Sequence, residues 1–312
     1  MIPSDSPFHP DNEAGYQRWR EAKLAGYPSL GEDLIVEVRD PHALSDAEYR
    51  AILGLVAKTN MAIYATNLGE SEDKAAVRAL SARFGLTRLD ANWLADEDGI
   101  SSLTPRDEDG EAEPNTPDGH KAARRGDYIP YTHHRIRWHT DGYYNPEPRR
   151  ILAMTLHCVR EAEAGGDNEL YDQDLAYIHL RDRDPEWIRA LIAPDAMTIP
   201  ARIDEIDGER PEESGPVFLI DPTSGGLHLR YTARTRSIAW KDDPTTQAAV
   251  KAIEDLLAGQ PFGWFRLKLQ PGMGLLCNNV LHTRDEFTDS PGRRRLLYRA
   301  RYHDRIQDLS RS

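Results

Sequence analysis

The chain has 312 residues, enough for one large or two modest domains with a substantial core. Its 39% hydrophobic and 29% charged residues exclude wholesale disorder, and its net charge of −13 argues against nucleic acid, whose phosphates select a basic face. No apolar stretch approaches the roughly 18 residues of a membrane-spanning helix.

Residues 1–30 are polar and Pro-rich and read as an arm laid over the rest, with residues 31–312 expected to form a single domain. The arm lacks the apolar core of a signal peptide, so a cytoplasmic protein is expected. Leu34 to Val38 reads as a strand. Ser45 and Glu48 then have capping-box spacing ahead of a helix with Tyr49, Ile52, Leu53 and Val56 on one face. Met61 to Thr66 reads as a short buried strand. A second helix is expected from about Ser71, with Val77, Leu80 and Phe84 inward and Gly85 just past its end.

Residues 95–130 are rich in Asp, Glu, Gly and Pro and lack apolar periodicity. Such an insert inside a compact chain reads as a lid. From residue 131 onward the texture is mainly strand, interrupted by two expected helices starting at Asp184-Pro185 and Asp243-Pro244. Ile151 to Val159 is a near-continuous apolar run, as in a strand covered on both faces. Cys158 and Cys277 each sit in apolar runs, which suits buried free thiols in a reducing compartment. Strands with covering helices and no βαβ rhythm predict a mainly β protein (α+β) with a jelly-roll double sheet.

The sharpest local feature is Trp138-His139-Thr140-Asp141-Gly142. In an extended strand, residues two apart share a face, so His139 and Asp141 can converge on one ion. A third ligand from elsewhere would complete a facial triad, which leaves coordination positions open and suits an oxygen-activating Fe(II). His282 is the best candidate, because it follows an apolar run that turns polar at Asn278-Asn279. Downstream, alternation places Arg295, Leu297 and Arg299 on one face of a strand, so two guanidiniums can look into one cavity as carboxylate-binding forks.

Tyr143 and Tyr144 follow the His-x-Asp pair, and alternation turns one of them toward the cavity; Tyr143 is taken as a substrate-binding candidate. His133 and His134 are more simply structural. His157 is expected in the core with a hydrogen-bond partner, and Arg284 in a structural ion pair. His228, Arg230 and Arg234 read as a charged strand surface.

Four stretches, WHTDG, GGDNELY (165–171), NNVLHTR (278–284) and RRLLYRARY (294–302), together resemble the taurine dioxygenase (TauD/TfdA) family in order and spacing over roughly residues 30–305. The resemblance implies a double-stranded β-helix core and a dioxygenase using Fe(II), 2-oxoglutarate and O2. It further implies iron ligation by His139, Asp141 and His282, and a salt bridge from Arg295 to the distal carboxylate of 2-oxoglutarate. Asn168 stands where the family has a hydroxyl residue that helps hold 2-oxoglutarate. Arg299 resembles the family arginine for an anionic substrate group, and the two arginine roles are open to exchange. The implied reaction is hydroxylation, desaturation or hydroxylation-driven bond cleavage of a small anionic molecule. Neither nucleic acid nor membrane is expected as a partner, and a homo-oligomer is a possible assembly. Two other readings use the same residues: a Zn-dependent hydrolase or lyase, and a non-catalytic 2-oxoglutarate-binding sensor.

Overall fold

The computed structural model describes residues 2–90, 95–106, 128–204, 208–234 and 238–309. Two sheets organise it. The larger has six strands in the order Ile35–Val38, Met61–Thr66, Met273–Cys277, Ala153–Arg160, Leu296–Tyr302 and Ser101–Leu103. The smaller has four, in the order Trp264–Leu267, Asn168–Tyr171, Leu281–Arg284 and Ile136–His139. All pairings within them are antiparallel except the first pair of the larger sheet. This is the double-sheet, jelly-roll core expected from the sequence.

Two apolar clusters account for the layering. One joins both sheets and holds Met154, Leu156, Leu170, Leu275, Leu281 and Leu297 among others. The other lies on the far side of the larger sheet and includes Tyr64, Leu276, Tyr298 and Tyr302. Helices α2 (Asp46–Thr59) and α3 (Lys74–Ala82) cover it with Ile52, Val56, Val77 and Leu80. Because the larger sheet is covered on both faces, its central strand Ala153–Arg160 is buried at every position but the last.

Local signals act where the sequence placed them. Ser45 Oγ accepts from the Glu48 amide, and the Glu48 carboxylate accepts in return from the Ser45 amide at 2.7 Å. Asn60 ends α2 in the left-handed conformation, with φ of 59°. Helix α3 starts three residues later than Ser71, capped by Asp73, whose side chain accepts from the Ala76 amide.

Three features go beyond the sequence reading. The N-terminal arm is ordered as a helix, α1 (Glu13–Leu24), which docks on the body: Tyr16 Oη donates to Asp182 at 2.6 Å, and Lys23 bridges Asp172 and Asp174 at 2.7 Å each. The 95–130 stretch, read as a lid, contains a strand. Ser101–Leu103 pairs with the Leu296–Tyr302 strand as an edge of the larger sheet, while 107–127 lie outside the described residues. A helix the sequence reading lacks, α4 (Gln173–Arg183), precedes α5 (Pro185–Leu191) and packs with it and with α6 (Pro244–Ala258).

Candidate metal centre and anion cavity

The smaller sheet brings the two histidines together. His282 and His139 are register partners on adjacent antiparallel strands, so their rings lie on the same face with centroids 4.2 Å apart. Asp141 arrives differently from the expectation. The strand ends at His139, and Asp141 lies beyond it in a turn.

That turn is held by residues far away in sequence. Asn279 accepts from the Asp141 amide at 2.8 Å and donates to the carbonyls of Asp141 at 2.9 Å and Ile151 at 2.7 Å. Thr140 bonds the backbone of Tyr231, donating from its amide at 3.0 Å and from its hydroxyl at 3.5 Å and accepting at that hydroxyl at 3.1 Å. Gly142 has a φ of +65°, and a Cβ there would meet Ile151 at 2.4 Å, so both conformation and space require glycine. With the turn fixed, Asp141 Oδ1 sits 3.5 Å from His139 Nε2 and 4.0 Å from His282 Nε2.

The donor set fits a metal ion. The candidate ligand atoms of His139, Asp141 and His282 all lie within 4.8 Å of one another. Each histidine has its Nδ1 2.9 Å from a backbone carbonyl, of Arg137 and Val280 respectively. A carbonyl only accepts, so each Nδ1 carries the proton and each Nε2 presents a lone pair. Burial, reinforced by His139, pushes His282 down to about 4, which keeps it a neutral ligand at neutral pH. Asp141 Oδ2 is buried with no hydrogen bond. Burial would raise this carboxyl, but Arg299, 3.3 Å away, holds it well below the usual carboxylate range.

Beside the triad lies a small cavity whose lining includes Asn168, His139, His282, Arg284, Arg295 and Arg299. The three arginines are 5%, 5% and 9% exposed. Arg295 lies just ahead of the Leu296–Tyr302 strand, in phase with Leu297, Arg299 and Arg301 on its inner side. Leu296, Tyr298, Ala300 and Tyr302 belong to the outer cluster, as strand alternation requires. Burial lowers Arg295 to about 10 and Arg284 to about 9, yet both remain cations at neutral pH. Asp141 is the carboxylate paired with Arg299. A cavity with this excess of buried positive charge is built for an anion.

Other expected residues fall as follows. Asn168 lines the cavity, its amide donating to the Thr283 carbonyl at 2.8 Å while Oδ1 is without a partner. Tyr143 belongs to the inter-sheet core, edge-on to Tyr144, and it is Tyr144 whose hydroxyl meets Arg301 at 3.3 Å. His157 is in the core, bonded to Tyr64 Oη at 3.1 Å. Cys158 and Cys277 are free and buried. Two readings are overturned. His228 and Arg230 are not a charged surface but buried, Arg230 donating to the carbonyls of Tyr143, Met197 and Glu213. Arg284 makes no ion pair with a described residue; it donates to four backbone carbonyls, those of Ile129, Pro130, Thr132 and His134.

The sequence reading missed Asn279, although its position between an apolar run and His282 was the available signal. It also missed Asp90, which is buried and takes Arg301 at 2.6 Å and Arg149 at 3.2 Å. Nothing in the local sequence marks Asp90.

Two apposed, mainly antiparallel sheets with a His-Asp-His cluster and an arginine-lined cavity beside it define a double-stranded β-helix with a candidate facial-triad site. The profile of the taurine catabolism dioxygenase TauD, TfdA family matches residues 22–301, and the chain belongs to that family. A uridine-5'-phosphate dioxygenase from Amycolatopsis sp is 32% identical over 170 residues, covering 53% of this chain and 60% of that relative. The match thus spans less than two thirds of the relative's length. Among solved structures, a taurine dioxygenase from Burkholderia xenovorans superposes with a TM-score of 0.54 at 18% identity, covering 90% of each chain. An asparagine oxygenase crystallised with Fe(II), 2S,3S-3-hydroxyasparagine and succinate has a TM-score of 0.53 at 18% identity, covering 97% of this chain and 87% of that one. These two likenesses are of fold.

Proposed function

We propose that the chain is an Fe(II)- and 2-oxoglutarate-dependent dioxygenase acting on a small anionic substrate, with residues 31–312 working as one domain. The observation that carries this reading is the adjacency of the facial triad to a cavity with buried, uncompensated arginine charge. A triad alone suits several metals. A zinc hydrolase needs a buried cationic cavity beside its metal only for an anionic substrate, whereas a dianionic cosubstrate always needs one.

In this reading His139, Asp141 and His282 hold the iron, Arg295 takes the distal carboxylate of 2-oxoglutarate, and Asn168 contributes an amide contact. Bound iron with 2-oxoglutarate and O2 supplies an oxidant able to remove hydrogen from an unactivated carbon, with succinate and CO2 as by-products. The chain supplies the rest. Its two Nδ1–carbonyl bonds fix both imidazoles, Asn279 fixes the aspartate turn, and the apolar walls Leu156, Met154 and Leu297 keep water out. Arg299, already within reach of Asp141, is the proposed contact for the substrate's anionic group. Uridine 5'-phosphate, which the Amycolatopsis relative is named for, is the first substrate to try. Two buried free thiols accord with a reducing compartment such as the cytoplasm.

The test is an anaerobic titration of metal-free protein with Fe(II) and then 2-oxoglutarate, following the weak visible charge-transfer band of a chelated oxoacid. We expect the band in the wild type and its loss in His139→Ala and His282→Ala. A folded wild type with no band would remove the oxygenase reading and favour the zinc one.

A further inference from the structure

Arg284 and Arg295 are both cations, both buried, and both stacked against one ring. Their guanidinium carbons lie 5.1 Å and 4.9 Å from the centroid of Phe287. Among the described residues neither forms a side-chain ion pair; the Asp289 carboxylate, which accepts from the Arg295 backbone amide at 3.0 Å, is the acidic group acting on Arg295. Two desolvated like charges side by side are unfavourable unless an anion joins them.

The hydrogen bonds of Arg284 are divided unevenly. Its two terminal nitrogens donate to the carbonyls of Pro130 at 3.0 Å, Ile129 at 3.1 Å, Thr132 at 2.8 Å and His134 at 2.5 Å. Its Nε is buried with no partner, and the residue lines the cavity together with Arg295. A buried N–H donor left without an acceptor is destabilising, so a partner for it is expected in the working state. Arg284 is also in phase with His282, two residues back on the same strand, which directs it to the metal side of the sheet.

We infer that the distal carboxylate of the oxoacid cosubstrate is gripped by two arginines, Arg295 through its guanidinium and Arg284 through its free Nε–H. This rests on the proposed dioxygenase reading. It gives Arg284 a second consequence, because the same side chain holds the backbone of residues 129–134, which leads into the His139 strand. Occupancy of the cavity by a dicarboxylate therefore stiffens the wall that precedes the metal ligands.

The experiment compares two oxoacids in Fe(II)-loaded protein without oxygen: 2-oxoglutarate, which has the distal carboxylate, and pyruvate, which lacks it. Arg284→Lys keeps the charge and an amine for the carbonyls but removes Nε. We expect it to weaken 2-oxoglutarate by about tenfold or more and leave pyruvate unchanged. Equal loss for both acids would make Arg284 a structural residue only, and no loss for either would exclude the contact; both overturn the inference. If the variant does not fold, hydrogen exchange on the wild type decides the matter. Amides of 129–134 should slow with 2-oxoglutarate and not with pyruvate, and equal protection overturns the inference. A wild type that binds neither acid fails at the earlier step and sinks the dioxygenase reading itself.

Discussion

At the scale of single residues, the site depends on groups that never touch a metal. Asn279 adopts φ of 51° and uses its amide to hold the backbone on both sides of the Asp141 peptide. Asn279→Gly keeps the left-handed conformation available and removes only the clamp. Loss of an outer contact of this kind typically lowers metal affinity 10- to 100-fold. We expect a fall within that range in an Fe(II) titration, with the fold intact by circular dichroism; unchanged affinity would show that the turn holds itself. The candidate histidines and aspartate were legible because His139 and Asp141 stand two apart and His282 follows an apolar run that turns polar. The clamp was not, because an Asn-Asn pair has many uses and its partner lies 138 residues away.

At the scale of elements, end signals were legible and an all-round buried helix was not. The Ser45–Glu48 box worked as written, and Ser45→Ala should destabilise the protein by about 1 kcal/mol in urea unfolding while leaving Fe(II) affinity unchanged. A coupled loss of metal binding would mean that α2 supports the site more directly than its place on the outer face suggests. Helix α4 escaped because eight of its residues, from Gln173 to Arg181, are buried on several sides at once. Such a segment shows no polar stripe and hence no 3.6-residue period. Ser101–Leu103 escaped for the opposite reason: three residues with two serines carry little strand preference, and their pairing with the arginine strand supplies the order.

At the scale of the whole molecule, buried neutral histidines tie stability to pH. Burial lowers His157 to about 4 and His228 to about 3, against an ordinary value of 6.5. The unfolded chain therefore binds protons that the folded one refuses. The stability is fully present above pH 6.5 and is lost as pH falls toward the folded values. A lowering from 6.5 to about 4 corresponds to about 3 kcal/mol for His157. Urea midpoints of the metal-free protein should fall steeply between pH 6.5 and pH 4. His157→Gln, which keeps a partner for Tyr64 Oη, should flatten that slope. A slope unaltered by the variant would assign the effect to other groups.

The sequence by itself determined the class of fold, the candidate ligands His139, Asp141 and His282, and the row of arginines in phase on one strand. Those features are local: period, caps, and residue chemistry at fixed spacing along one segment. Tertiary structure alone decided the rest. It set His139 opposite His282 by register, carried Asp141 round a turn clamped by Asn279, and placed Asp90 beneath Arg301. It also turned Arg284 from an expected ion pair into a strap over residues 129–134. Each of these joins groups far apart in the chain, where the partner of a charge is set by sheet register and packing rather than by neighbouring residues.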